Sequence, residues 1–271
     1  MSQPARPPQG DRPVHDGFLH THLRDLEAAR QVQEHLFPRD LPHVPGWDCA
    51  AVCRPARVVA GDYHDLFEVG RGRLAVALGD VAGKGLGPAL IMAGLHALVR
   101  GRLPRQAADL AGLLGGLNRY LLAATPPDLF VTLFLAVLDL GTGRLRYVNG
   151  GHPPAIVLPG PGAEPVRLAE GGTVLGILPG ARYREGHATL APGGVLAVFS
   201  DGLTDAAGAD RGTSPERRVV EVLRAGQPSA AATLTGVLES FGHLTGGPEP
   251  ADDVSLLVVR RLVQDFAFGL A

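Results

Sequence analysis

The sequence predicts an α+β protein in which antiparallel sheets pack face to face beneath a cover of helices. Three observations carry this expectation. Short β-branched apolar runs bounded by Gly, Pro and Asp dominate the middle of the chain. Helical periodicity is confined to an N-terminal segment and two later blocks. The 271 residues are 45% hydrophobic and only 19% charged, enough to bury a sizeable core.

The elements follow in order. Residues 1–15, rich in Pro, Gln and Gly, read as a disordered tail. From Asp16, an N-cap candidate, Leu19, Leu23, Leu26, Ala29, Val32 and Leu36 recur at helical spacing until Pro38. Their mean spacing near 3.5 suits either a seam with a second helix or a helix lying on its own domain. A linker at 39–46 leads to strands at about 47–55, 58–69 and 73–80, the last two joined by the turn Gly70-Arg-Gly-Arg73. Gly87 to about Arg100 and Gln106 to about Ala124 read as helices whose wide apolar faces seek a sheet. A hairpin follows, with strands at 129–140 and 144–149 around Gly141-Thr-Gly143. Further strands are expected near 155–158, 165–168, 182–189, 194–200 and 253–261, and helices near 203–207, 215–224 and 228–243. These divide the chain into a tail (1–15), a regulatory or linker helix (16–37), one domain (38–263) and a C-terminal tail (264–271).

Composition excludes several classes of function. The net charge is −2, with 25 basic residues scattered among 27 acidic ones, so neither nucleic acid nor an anionic membrane surface has an electrostatic case. No apolar run approaches the ~20 residues that span a bilayer, and the N-terminus lacks the apolar core of a secretion signal; a cytoplasmic protein is expected. Cys49 and Cys53, at i and i+4 in one strand, stand roughly 13 Å apart, beyond the ~7 Å that a disulfide bridges. Lys84 is the only lysine.

The chemistry lies in carboxylates at strand ends. Leu74-Ala-Val-Ala-Leu-Gly79-Asp80-Val81 ends a buried run at a glycine-rich bend, and Asp62, Asp201 and the Asp252-Asp253 pair each abut another apolar run. A single Asp beside Gly is ordinarily a turn former. Four such positions in different strands are harder to explain as turns, and antiparallel pairing gathers them at one end of a sheet assembly. Mg²⁺ and Mn²⁺ take hard oxygen ligands, and a pair of ions needs a bridging carboxylate, for which Asp80 is the best placed. Two ions ~3.5–4 Å apart activate a water and clamp a phosphoryl group for in-line attack, without a covalent phosphoenzyme. Asp65 is an outer neighbour or a strand-edge residue, and either Asp252 or Asp253 supplies the last ligand.

Other motifs fall away. Gly79-x3-Gly83-Lys84-Gly85 is one spacer short of a P-loop and has Gly where Ser or Thr should stand. The histidines lack partners at zinc-ligand spacing, His152 reads as a turn residue, and Ser200 lacks a nucleophile elbow.

Taken in order, Ala29-Arg-Gln-Val-Gln-Glu-His-Leu-Phe-Pro38, Val59-Ala-Gly-Asp-Tyr-His-Asp65, Gly79-Asp-Val-Ala-Gly-Lys-Gly85, Phe130-Val-Thr132, Asn149-Gly-Gly-His-Pro-Pro154, Leu175-Gly176, Ser200-Asp-Gly-Leu-Thr-Asp205 and Asp252-Asp-Val-Ser255 resemble the metal-dependent protein phosphatases of PPM type, similar to protein phosphatase 2C. The likeness is to their bacterial sporulation and stress-response (stage II sporulation protein E) branch. It implies an α-β-β-α sandwich of two antiparallel sheets holding two Mn²⁺ or Mg²⁺ ions. Carried over by motif, Asp62 and Asp80 with the Val81 carbonyl hold one ion, and Asp80, Asp201 and Asp252 the other. It also implies a phosphoserine- or phosphothreonine-bearing protein substrate, typically an anti-sigma-factor antagonist. A dimer or sensor partner would act through helix 16–37. Ala60, His64 and Asp205 depart from the branch's usual residues, and Asp210-Arg-Gly-Thr-Ser-Pro215 lacks its usual Gly-Glu-x-Phe-Gly. The alternatives are a catalytically degenerate scaffold binding a sigma-pathway partner, and a metal phosphodiesterase.

Overall fold

A computed structural model describes residues 13–38, 40–205, 214–242 and 250–263. Residues 1–12 of the tail expected at 1–15, the tail expected at 264–271, the Asp205 side chain, the end of the helix expected at 203–207 and most of the 210–215 segment lie outside these residues.

Four layers form the molecule. One five-stranded antiparallel sheet runs β1 (Trp47–Arg54), β11 (Val254–Arg261), β10 (Val195–Phe199), β6 (Ala155–Leu158) and β7 (Val166–Leu168). The second runs β2 (Tyr63–Glu68), β3 (Arg73–Val81), β4 (Val131–Asp139), β5 (Arg144–Gly150) and β8 (Gly171–Gly172), with β9 (Gly186–Thr189) also paired to β5. Helices α2 (Leu86–Gln106) and α3 (Leu110–Ala124) cover the second sheet; α5 (Pro215–Arg224) and α6 (Ala230–Ser240) cover the first.

Strand alternation divides the apolar residues among three cores. Between the sheets, Leu74, Val76 and Leu78 of β3 meet Leu196 and Val198 of β10 and Leu257 and Val259 of β11. The opposite faces of the same strands carry Ala75 and Ala77 onto Met92, Leu95, Val99 and Leu103 of α2, and Ala197 and Val258 onto Val219, Leu223 and Val237. Strands buried on both faces read as continuous apolar runs, which is how they appear in the sequence.

Helix α1 (Pro13–Leu36) begins before the expected Asp16, with Pro13 in a first turn that needs no intrahelical amide donor. It packs along α2 and leaves Leu23 and Val32 exposed. The strand expected from 58 begins only at Tyr63, because the Ala60 amide and carbonyl pair with the Gln33 side chain rather than with a neighbouring strand. Helix α2 continues past Arg100 and through Pro104 to Gln106, since Leu103 keeps its place in the core; α3 starts at Leu110, where Asp109 accepts a hydrogen bond from the Gly112 amide. The strand expected at 182–189 narrows to β9, and α4 (Asp201–Asp205) starts two residues early. The sheets are antiparallel except at the two-residue pair of β5 and β8. Both cysteines lie on β1 as free thiols.

Candidate metal centre

Register brings the acidic positions together. Tyr63 pairs with Gly79, so the next residues outward, Asp62 and Asp80, lie across from each other at the end of the second sheet. In the first sheet Phe199 pairs with Leu256 and the Ser200 amide donates to the Ser255 carbonyl, so Asp201 and the Asp252-Asp253 pair extend past the same end. Asp80 is the penultimate residue of β3 rather than part of the bend, which opens after Val81 at Gly83 and Gly85, both with positive φ.

Asp80 and Asp62 feel the charge of their acidic neighbours. Burial and then the Asp201 and Asp252 charges push the Asp80 carboxyl up to about 7, with the Lys84 ammonium opposing. Burial and then the Asp80 charge raise Asp62 well above the usual carboxylate range, against the nearby Ser255 hydroxyl. Asp62 is 1% exposed, and its Oδ2 has no hydrogen-bond partner, an orphaned acceptor of the kind that a cation satisfies. A Cβ on Gly61 would stand 3.0 Å from the Val81 carbonyl oxygen, so the glycine keeps that oxygen accessible beside Asp62. Among the described residues no three His, Cys, Asp or Glu side chains are grouped as a ready coordination shell. The donors at this end are nonetheless carboxylate and carbonyl oxygens, the hard ligands that Mg²⁺ and Mn²⁺ take.

Adjacent aspartates divide their duties. The Asp253 carboxylate accepts from the backbone amides of Ala56 (2.7 Å), Gly61 (2.6 Å) and, less closely, Asp62 (3.4 Å). Its oxygens are therefore occupied in lacing the first sheet to the loop that carries Asp62. Asp252 points the other way: its Oδ1 accepts from the Asp253 amide and its Oδ2 lies 3.0 Å from Lys84 Nζ. Gly202 lets the start of α4 lie against the Asp252-Asp253 backbone, since a Cβ there would fall 2.1 Å from the Asp253 carbonyl oxygen.

Three supporting groups escaped the sequence reading. Gln33 of α1 donates to the Ala60 carbonyl and accepts from the Ala60 amide, both at 2.8 Å, holding the approach to Asp62 as a neighbouring strand would. Arg100 of α2 donates through Nε and Nη2, each at 2.7 Å, to the fully buried Asp65, which thereby ties α2 to β2. Lys84 spans the mouth of the site. Only Lys84 had a local signal, as the single lysine within a glycine turn. His152 lies buried with Nδ1 2.8 Å from Thr132 Oγ1 and its amide on the Asn149 side chain; burial lowers its pKa to about 3. It stays neutral as a bridge between elements.

The chain matches, over residues 70–262, the family model described as stage II sporulation protein E. It is 30% identical over 265 residues to protein IcfG of Synechocystis sp., covering 88% of this chain and 41% of that protein. It is 26% identical to the phosphoserine phosphatase RsbU of Bacillus subtilis, covering 88% and 70%. The chain thus spans less than half of the first relative and about two thirds of the second. Among solved structures, the RsbU and RsbW domains of Rv1364c from Mycobacterium tuberculosis superpose with a TM-score of 0.69 at 25% identity, over 82% of this chain and 62% of that one. The SiaA-PP2C domain of Pseudomonas aeruginosa superposes at 0.73 and 20% identity, over 89% and 98%, a likeness of fold.

Proposed function

Because the chain belongs to the stage II sporulation protein E family, we propose that it is a metal-dependent protein serine/threonine phosphatase acting on a regulatory phosphoprotein. The observation that carries the reading is the convergence of Asp62, Asp80, Asp201 and Asp252 from two sheets onto one end of the sandwich, where the Asp80 charge raises Asp62 and the Asp201 and Asp252 charges raise Asp80. In this reading Asp62, Asp80 and the Val81 carbonyl would hold one Mn²⁺ or Mg²⁺ ion, and Asp80, Asp201 and Asp252 a second. Such ions, when bound, supply an activated solvent nucleophile and neutralise charge on a phosphoryl group. The chain's own part is placement. The Asp253 carboxylate and Gln33 fix the loop before Asp62, and the β3–β4 ladder fixes Asp80 opposite Thr132. Among the described residues, Ser200 and His152 are committed to structural hydrogen bonds, with Ser200 Oγ donating to the Asp253 carbonyl and accepting from the Ser255 amide, and the His152 amide donating to Asn149, which accords with attack by solvent.

The substrate follows from relatives rather than from the site. RsbU and RsbP of Bacillus subtilis bear the name phosphoserine phosphatase, and the mycobacterial structure joins an RsbU domain to an RsbW domain. These names support a phosphoserine-bearing protein as the substrate class; an anti-sigma-factor antagonist, phosphorylated on serine or threonine, is the finer substrate that the family resemblance implies. The test is phosphate release from such a protein and from p-nitrophenyl phosphate, with and without Mn²⁺. We expect turnover only with metal, and loss of at least about a hundredfold in Asp80→Ala, as removing a group that organises transition-state charge entails. Full activity in that variant refutes the assignment. A wild type that binds Mn²⁺ but never turns over would leave a binding scaffold, and cleavage of diesters but not monoesters a phosphodiesterase.

A further inference from the structure

The turn that carries Lys84 leaves its side chain at the rim of the acidic cluster. Gly83 and Gly85 take φ of 99° and 93°, so the backbone doubles back on either side of Lys84 and presents it at the mouth. Nζ lies 3.0 Å from Asp252 Oδ2 and donates to the Ala251 carbonyl, which ties the β3–α2 turn to the segment entering β11. The Lys84 side chain is 35% exposed and that of Asp252 39%, so water reaches the pair and the ammonium has room to leave it. The same charge acts on Asp80, the proposed bridging ligand.

We propose that Lys84 is a tethered counter-cation: it holds Asp252 while no divalent ion is bound, and must be displaced for Asp252 to join a coordination shell. The inference rests on the reading of Asp252 as a metal ligand. An ammonium and a dication compete for the same carboxylate oxygen, and once displaced the ammonium remains tethered within a few ångströms and repels the ion. Lys84 therefore lowers the affinity of the second site while keeping the cluster from carrying uncompensated negative charge. The residue type fits the duty. All the other residues among the 25 Lys and Arg are arginines. A guanidinium would grip Asp252 through two parallel hydrogen bonds, whereas a lysine ammonium is a compact, well-hydrated charge on a flexible stem and releases more readily.

The experiment is a calorimetric titration of Mn²⁺ into the metal-free full chain, as wild type, Lys84→Met and Lys84→Arg, with a thermal melt of each before and after metal. Removing a unit charge a few ångströms from a bound dication in a solvent-exposed setting is expected to tighten the weaker Mn²⁺ step about tenfold in Lys84→Met. Lys84→Arg should bind more weakly than wild type, because its hold on Asp252 is harder to break. The melt of Lys84→Met should also rise more on adding Mn²⁺ than that of wild type. Equal or weaker Mn²⁺ affinity in Lys84→Met overturns the inference and leaves the metal-site reading intact. A wild type that binds no divalent ion at all brings down the metal-site reading and this inference with it.

Discussion

At the scale of single residues, burial without charge is the recurrent device. His152 reaches Thr132 of one sheet through Nδ1 and faces the Phe199 carbonyl of the other. Its folded pKa of about 3 lies below the ~6.5 of an unfolded histidine, so the fold binds no proton where the unfolded chain binds one. The contribution is therefore fully present above pH 6.5 and lost as pH falls toward 3. Denaturant titrations of wild type and His152→Gln should show the stability difference between them shrinking below pH 6.5, by at most about 1.4 kcal/mol per pH unit; a pH-independent difference would contradict it. His64, lowered to about 4 by burial, cancels in that comparison. The acidic positions were legible at this scale because each stands beside Gly or a second Asp at the end of an apolar run. The anchoring roles of Asp253 and Gln33 were not, since the backbone amides and carbonyls they serve lie far along the chain and leave no local pattern.

At the scale of elements, the strands whose apolar runs are bounded by turns were legible almost to the residue. The hairpin of β4 and β5 and the lone β11 are examples. Boundaries set by tertiary partners were not. The start of β2 depends on a glutamine from α1, the end of α2 on a core place for Leu103, and β8 on two glycines that let Gly171 approach the Asn149 carbonyl closely. The tie between α2 and β2 was equally invisible, although both partners were in view. Arg100 also covers the Phe67 ring at 4.8 Å, so it seals the Asp65 carboxylate from above. Arg100→Ala leaves that buried carboxylate with only the His96 ring, 3.8 Å away, as a possible cation, and should cost on the order of 3 kcal/mol in urea unfolding. Adding Asp65→Asn to the variant should recover part of the loss, because the charge that needed a partner is gone. Equal loss in single and double variants would show that packing, not charge, dominates there.

For the whole molecule, face-to-face sheets under a cover of helices were legible in the patterning, whereas the membership of each sheet was not, because an apolar run does not say which sheet it joins. The three cores nonetheless answer to one simple rule: alternate residues of β3, β10 and β11 serve different layers. Among the described residues no helix is long and apolar enough to cross a membrane. The proposed ions would join residues from both sheets and should stabilise the fold as any ligand of the native state does. At a hundredfold excess over the dissociation constant the gain is about 2.7 kcal/mol, which at ~2–4 °C per kcal/mol is a rise in Tm of roughly 5–10 °C. Differential scanning fluorimetry with Mn²⁺ should show this rise, chelator should reverse it, and Asp80→Ala should abolish it. Asp253 has one more consequence, for anyone who recombines this protein with its relatives. The loop at 55–62 takes its shape from an acceptor that stands 197 positions away from Ala56. A chimaera that imports the loop without a matching carboxylate at 253 would inherit a tongue with no anchor, so the transplantable unit is two distant pieces of gene, exchanged together.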